Sequence, residues 1–221
     1  DRGLINDRKD LPLAWNTWES NEKDRFSSPV RTYIKESGFG LLLGYVSSPA
    51  KDSSGNYWQD TFIGKDGVEK AYNTNLTGQN GVHITETDVS GKVQSENIVS
   101  EPKAGEKLKL SIDAGVQAQI YKSISAMAGS VGFSGGAGVI MDVKTGELLA
   151  LTSYPEYNPN ILSSGSDKKT ISGYFSDKRK VFLNRAVSGL YTPGSIVKPF
   201  VAYAALAEDV ISPFKQIFAN G

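Results

Sequence analysis

Cysteine is missing from all 221 residues, which excludes disulfides, thiolate nucleophiles and sulfur-ligated metals together. Histidine is nearly missing. His83 is the sole one, so a zinc site would rest almost wholly on carboxylates and a Ser-His-Asp arrangement has one base to draw on. No metal or cofactor is expected. Net charge is absent as well: Lys plus Arg and Asp plus Glu both number 24, so no overall field draws the chain to nucleic acid or to an anionic membrane. No nucleic-acid partner is expected. No apolar run approaches the roughly 18–20 residues that cross a bilayer, and the opening Asp1-Arg2-Gly3 lacks the basic-then-apolar pattern of a signal peptide. What is present is ordinary for folded protein, 39% hydrophobic and 22% charged, with length for one large or two modest domains.

Gly3-Leu4-Ile5 and Leu11-Pro12-Leu13-Ala14-Trp15 flank the turn-forming Asn6-Asp7-Arg8-Lys9-Asp10, which predicts a hairpin. Residues 17–29 read as a solvated connection, and residues 39–46 as a short buried strand. One or two helical turns are expected over residues 67–72, then an exposed strand over 82–89 that turns at Ser90-Gly91. His83 on that strand reads as a surface residue. Glu101-Pro102-Lys103-Ala104-Gly105-Glu106 breaks the pattern between two strand-like stretches, and a domain edge is placed there, giving domains 1–104 and 105–221.

Beyond that edge, residues 108–113 alternate as a strand, and Asp113 can cap a helix through Val116, Ile120 and Ile124. Residues 137–153 carry two apolar strands around Asp142-Val143-Lys144-Thr145-Gly146-Glu147, a hairpin pattern. Gly135, Gly136 and Gly138 lack the spacing of a phosphate cradle and read as plain loop. Residues 154–185 are loop-rich. Pro193-Gly194 then leads into an apolar, alanine-rich helix over 195–207, capped at its start; Pro199 is tolerated because the first helical amides have no partner to lose.

Ser-x-x-Lys is a weak pattern by itself, occurring at Ser20/Lys23, Ser48/Lys51, Ser100/Lys103, Ser166/Lys169, Ser195/Lys198 and Ser212/Lys215. The first four pairs sit in polar or Pro/Gly-broken stretches, where a solvated lysine keeps its proton and cannot act as a base. Ser212-Pro213 can also start a helix and is the bland alternative. Only Ser195 is followed by a dozen mostly apolar residues, which predicts a helix buried in a domain. Side chains at i and i+3 share a face. A desolvated lysine there can be neutral and take the serine proton, with the helix start favouring negative charge nearby. The spacing fits equally well a simple N-cap serine with Lys198 on a solvated face.

Tyr191-Thr192-Pro193-Gly194-Ser195-Ile196-Val197-Lys198-Pro199 resembles the active-site motif of penicillin-binding proteins. Further stretches follow the order of the class B, elongation-type members of that family. Arg2-Gly3-Leu4-Ile5-Asn6-Asp7-Arg8 resembles the start of their non-catalytic pedestal. Gly44-Tyr45-Val46, residues 67–72 and Leu76-Thr77-Gly78 resemble its later segments, while Thr145-Gly146-Glu147-Leu148-Leu149-Ala150 and Ser153-Tyr154-Pro155 resemble the opening of the transpeptidase domain. Asp10 stands where glycine is usual and Asn158 where aspartate is usual. The stretch between Asn16 and Gly40 is short, as if the pedestal's outer head were missing. No Ser-x-Asn or Lys-Thr/Ser-Gly follows Ser195, and Lys144-Thr145-Gly146, which precedes it at a hairpin turn, is rejected as catalytic.

The resemblance implies an α+β fold: a β-rich pedestal, then the N-terminal part of a transpeptidase domain. It implies a peptidoglycan D,D-transpeptidase whose Ser195, with Lys198 as base, is acylated by D-Ala-D-Ala stem peptides and by β-lactams. It further implies cell-wall elongation partners at the pedestal, and a membrane anchor upstream of Asp1 with the protein facing the periplasm or wall space. The 221 residues alone are expected to acylate little and to leave apolar surface uncovered in the second domain. Rival readings are a pedestal acting as a scaffold module, and a β-lactamase or β-lactam sensor sharing the Ser-x-x-Lys helix.

Overall fold

The computed structural model describes residues 1–19, 28–90, 92–216 and 218. Strands β1 (Ile5–Asn6) and β2 (Pro12–Glu19) form the expected hairpin. Asp7 builds its turn, Oδ1 accepting from the Lys9 and Leu11 amides at 2.7 and 2.8 Å. β3 (Ser28–Tyr33) pairs antiparallel with β2. The connection expected over 17–29 is therefore strand at both ends, and residues 20–27 lie outside the described residues.

The buried strand expected over 39–46 is a helical turn, α1 (Gly40–Leu43), followed by the short β4 (Val46–Ser47). Four consecutive apolar residues carry no readable period. Gly44 decides the outcome: at φ 77° it ends the turn, and a Cβ there would lie 1.8 Å from the Asp66 carbonyl oxygen. Strands β5 (Ala50–Lys51), β6 (Tyr57–Gln59) and β7 (Ile63–Gly64) follow, β5 pairing with β6 and β7 with β4. The expected helical turns are α2 (Gly67–Ala71), and a further turn, α3 (Asn73–Leu76), follows beyond the expected stretch. The expected exposed strand is β8 (Val82–Thr87), which pairs with β9 (Val93–Ser100); Gly91 of the expected turn lies outside the described residues.

β10 (Leu108–Lys109) is shorter than the strand expected over 108–113. Asp113 caps α4 (Ala114–Val131) as anticipated, accepting from the Gly115 and Val116 amides at 3.0 and 3.2 Å. β11 (Gly136–Met141) and β12 (Leu148–Tyr154) make the second expected hairpin. Gly136 and Gly138 belong to β11 and not to a loop: a Cβ on Gly138 would come 2.5 Å from Ile120 of α4, so the missing side chain lets helix and hairpin close. The loop-rich stretch over 154–185 holds α5 (Pro159–Ser164) and α6 (Lys168–Ser176), capped by Asn158 and Asp167, and leads to α7 (Arg185–Ser188). Polar caps and a proline at the first helical position make short helices from a sequence that otherwise reads as turns.

Residues Asp1–Ser188 form one compact unit. Its main sheet has the order β10-β1-β2-β3, with β1 and β10 parallel (Ile5 opposite Leu108) and the rest antiparallel. Ile5, Leu13, Tyr33, Phe39, Leu43 and Leu76 are sealed in its core, and Leu108, Leu110 and Ala118 pack against them. The stretch 101–106, where the sequence suggests a domain edge, is tied into this unit. Gly105 N donates to Asp1 O at 2.9 Å and Glu106 N to Asn75 O at 2.8 Å. Proline and glycine break the strand pattern here without freeing the chain. Gly105 lies so close to Leu76 that a Cβ would meet its carbonyl oxygen at 1.9 Å.

Residues Gly189–Gly221 form a second unit. It contains a 3₁₀ turn (Gly194–Val197) running directly into α8 (Lys198–Ala207).

Candidate active site

Ser195 sits in the 3₁₀ turn and Lys198 opens α8. Gly194, at φ 59°, turns the chain after Pro193, and the Lys198 amide donates to the Ser195 carbonyl. In a 3₁₀ turn residues i and i+3 eclipse, so the two side chains leave the backbone one above the other. Ser195 is not the helix cap, since the residue capping α8 is Val197 and no side chain caps it, but the other half of that alternative, Lys198 on a solvated face, is what the structure shows.

The expected burial is not found. Ser195 and Lys198 are both exposed, and among the described residues no hydrogen bond joins them. Phe200, Val201 and Tyr203 stand 74%, 61% and 74% exposed, so α8 shows apolar side chains to solvent, as expected for the second domain. A helix apolar all round belongs inside a core. Lys198, Val201, Ala202, Ala205 and Ile211 line one shallow groove along it.

Three serines of the other pairs hydrogen-bond to backbone groups. Ser48 donates to the Ser163 carbonyl at 3.1 Å, Ser100 Oγ accepts from the Val82 amide at 3.1 Å, and Ser212 Oγ accepts from the Phe214 amide at 3.3 Å. Ser20 and Lys23 lie outside the described residues. His83 is on exposed β8, 3.8 Å from Glu96, and Lys144 is exposed in the β11–β12 turn.

Two polar clusters escaped sequence reasoning, because their members are far apart in the chain. Glu69 is fully buried, accepting from Arg2 Nε at 2.5 Å and Arg31 Nε at 2.7 Å. Arg2 continues to the Phe62 and Glu69 carbonyls, Arg31 to Asn16. The second cluster fastens residues 33–66 to residues 117–163. Glu156 accepts from the Gly38 and Gly40 amides at 2.5 and 2.7 Å, and Gln117 and Thr152 donate to the Gly38 carbonyl. Asn160 bridges both the amide and the carbonyl of Tyr33 at 2.9 and 3.2 Å. Tyr157 donates to Asp66 at 2.7 Å, and Ser163 accepts from the Val46 amide at 3.1 Å. Burial pushes the Glu156 carboxyl up to about 7 against the pull of its amide donors.

Residues 26–110 match the penicillin-binding protein dimerisation domain and residues 136–221 the penicillin-binding protein transpeptidase domain. The chain belongs to the penicillin-binding proteins. It is 36% identical over 200 residues to the peptidoglycan D,D-transpeptidase MrdA of Escherichia coli (strain K12), covering 86% of this chain and 30% of that protein. The chain thus spans about a third of the length of the curated relatives it matches. Among solved structures it resembles Pseudomonas aeruginosa PBP2 in complex with WCK 5153, with TM-score 0.72, 27% identity and coverage of 98% of this chain and 42% of that one. The fold also matches a complex between PBP2 and MreC from Helicobacter pylori, with TM-score 0.76, 24% identity and coverage of 98% and 53%. The mixed fold is thus a dimerisation domain followed by the start of a transpeptidase domain, and the relatives are D,D-transpeptidases of a serine-type family.

Proposed function

We propose that the protein is a peptidoglycan D,D-transpeptidase with Ser195 as nucleophile and Lys198 as its base. The observation that carries this reading is the Ser195/Lys198 pair at the 3₁₀-to-α8 junction, inside the residues that match the transpeptidase domain. Lys198 takes the proton as Ser195 Oγ attacks the carbonyl carbon of the penultimate D-Ala. The peptide C–N bond then breaks and D-alanine leaves with the proton. An amine of a neighbouring stem peptide attacks the resulting ester, forming the cross-link and returning the serine. β-Lactams acylate the same oxygen. Cover over α8 is part of the proposal, since the lysine must be desolvated to act as a base.

In the same reading residues 1–104 are the pedestal and 105–221 the part of the transpeptidase domain carrying the Ser-x-x-Lys element. The pedestal docks cell-wall elongation proteins, consistent with the MreC complex of the Helicobacter pylori relative, and the enzyme works facing the wall space. The match to a dimerisation domain weighs against a free-standing β-lactamase or sensor. The test is D-alanine release from a D-Ala-D-Ala stem peptide by the whole protein. Release that stops in Ser195→Ala supports the assignment, and release that continues overturns it. A scaffold reading draws on the Asp1–Ser188 unit, which is compact without the serine element. Partner capture unchanged by Ser195→Ala, with no D-alanine released by the parent protein, would favour it.

A further inference from the structure

We infer that residues 35–44 are a joint that makes the main sheet and the α4–β12 layer one cooperative body, with the Gly38 peptide as its coupling point. The joint lies inside residues 26–110, which match the dimerisation domain, yet the side chains that hold it all come from beyond that match.

Three side chains from three elements grip one buried peptide. Gly38 N donates to Glu156 Oε1 at 2.5 Å, from the loop after β12. Gly38 O accepts from Gln117 Nε2 of α4 at 2.5 Å and from Thr152 Oγ1 of β12 at 3.2 Å. The second Glu156 oxygen accepts from the Gly40 amide at 2.7 Å, and two amide donors on one carboxyl suit its ionised form. Gln117 is itself fixed by β12, exchanging bonds with the Leu151 amide and carbonyl at 2.8 and 2.7 Å. Only glycine fits the gripped position: φ is 106°, and a Cβ would lie 2.8 Å from Tyr121 Cβ.

The joint faces two ways. Among the described residues, the hydrogen bonds that leave residues 35–44 all run to Gln117, Thr152 and Glu156. The apolar side chains go elsewhere: Phe39 and Leu43 are sealed with Ile5, Leu13 and Leu76 in the core of the main sheet. Freeing the Gly38 peptide strands a buried amide and carbonyl and drags two core side chains with it, so neither side opens alone. Whatever tightens or loosens the main sheet therefore changes the stability of α4 and β12 by the same factor, and the reverse holds.

The experiment is native-state hydrogen exchange on this chain by NMR at one pH, comparing the most protected amides of β2 and β3 with those of α4 and β12. In the parent both sets should accelerate with the same slope as urea is added. Glu69→Ala removes a carboxylate whose partners are Arg2 and Arg31, on the main-sheet side. It should speed exchange in both sets by one factor, more than about 100-fold. In a Gly38→Ala background its effect on α4 and β12 should shrink at least about 5-fold relative to its effect on β2 and β3. Unequal urea slopes in the parent, or a Glu69→Ala effect confined to β2 and β3, would overturn the cooperative body. An unchanged response in the Gly38→Ala background would overturn Gly38 as its coupling point. If the double variant does not fold, Thr152→Val and Glu69→Gln take the two places and are read the same way.

Discussion

Arg31 Nε donates to Glu69 Oε1 at 2.7 Å with both side chains closed to solvent. Arg2 takes the other carboxylate oxygen, so one buried anion serves two buried cations drawn from β3 and from the chain ahead of β1. Arg31 Nη2 finds no further acceptor among the described residues, which leaves this centre little tolerance for losing its carboxylate.

Glu69→Ala strands two guanidinium groups in the interior and should cost about 3–5 kcal/mol. Urea unfolding should show the midpoint falling with little change in slope. A loss below about 1 kcal/mol would mean that water reaches the arginines.

Gly44→Ala forces a side chain into φ 77° and against the Asp66 carbonyl, 1.8 Å from the ideal Cβ. The strain and overpacking should cost more than about 2 kcal/mol. Thermal unfolding of the variant against the parent measures it.

Asp113 should lend stability that fades in acid. A hydrogen bond from Lys9, then the amides at the start of α4, hold its carboxyl below the usual 3.8. A lowered folded pKa gives stability that is present above the unfolded value and lost as pH falls through the folded one. Asp113→Ala should therefore cost about 1 kcal/mol near neutrality. The gap between parent and variant should narrow below about pH 4, as read from urea unfolding at a series of pH values.

What was legible in the sequence was local. Asp7 and Asp142 announce turns because each bonds amides two to four residues on, and Asp113 announces α4 by the same chemistry. Leu41, Leu42 and Leu43 could not separate strand from helical turn, since the deciding contact is Gly44 against Asp66, 22 residues away. Glu69 and Glu156 look like ordinary charges until the fold brings Arg2, Arg31 and Gly38 to them. Ser195 and Lys198 are singled out as candidates by apolar context and by the resemblance of residues 191–199 to a family motif, whereas the dry setting that context suggests is not formed by the described residues.

The most direct test of the central proposal is peptide mapping by mass spectrometry after treating the whole protein with a labelled penicillin. The account predicts one acylated serine, Ser195, no adduct in Ser195→Ala, and acylation slowed by at least about 100-fold in Lys198→Ala. An adduct on another serine, or undiminished labelling of Ser195→Ala, would contradict it.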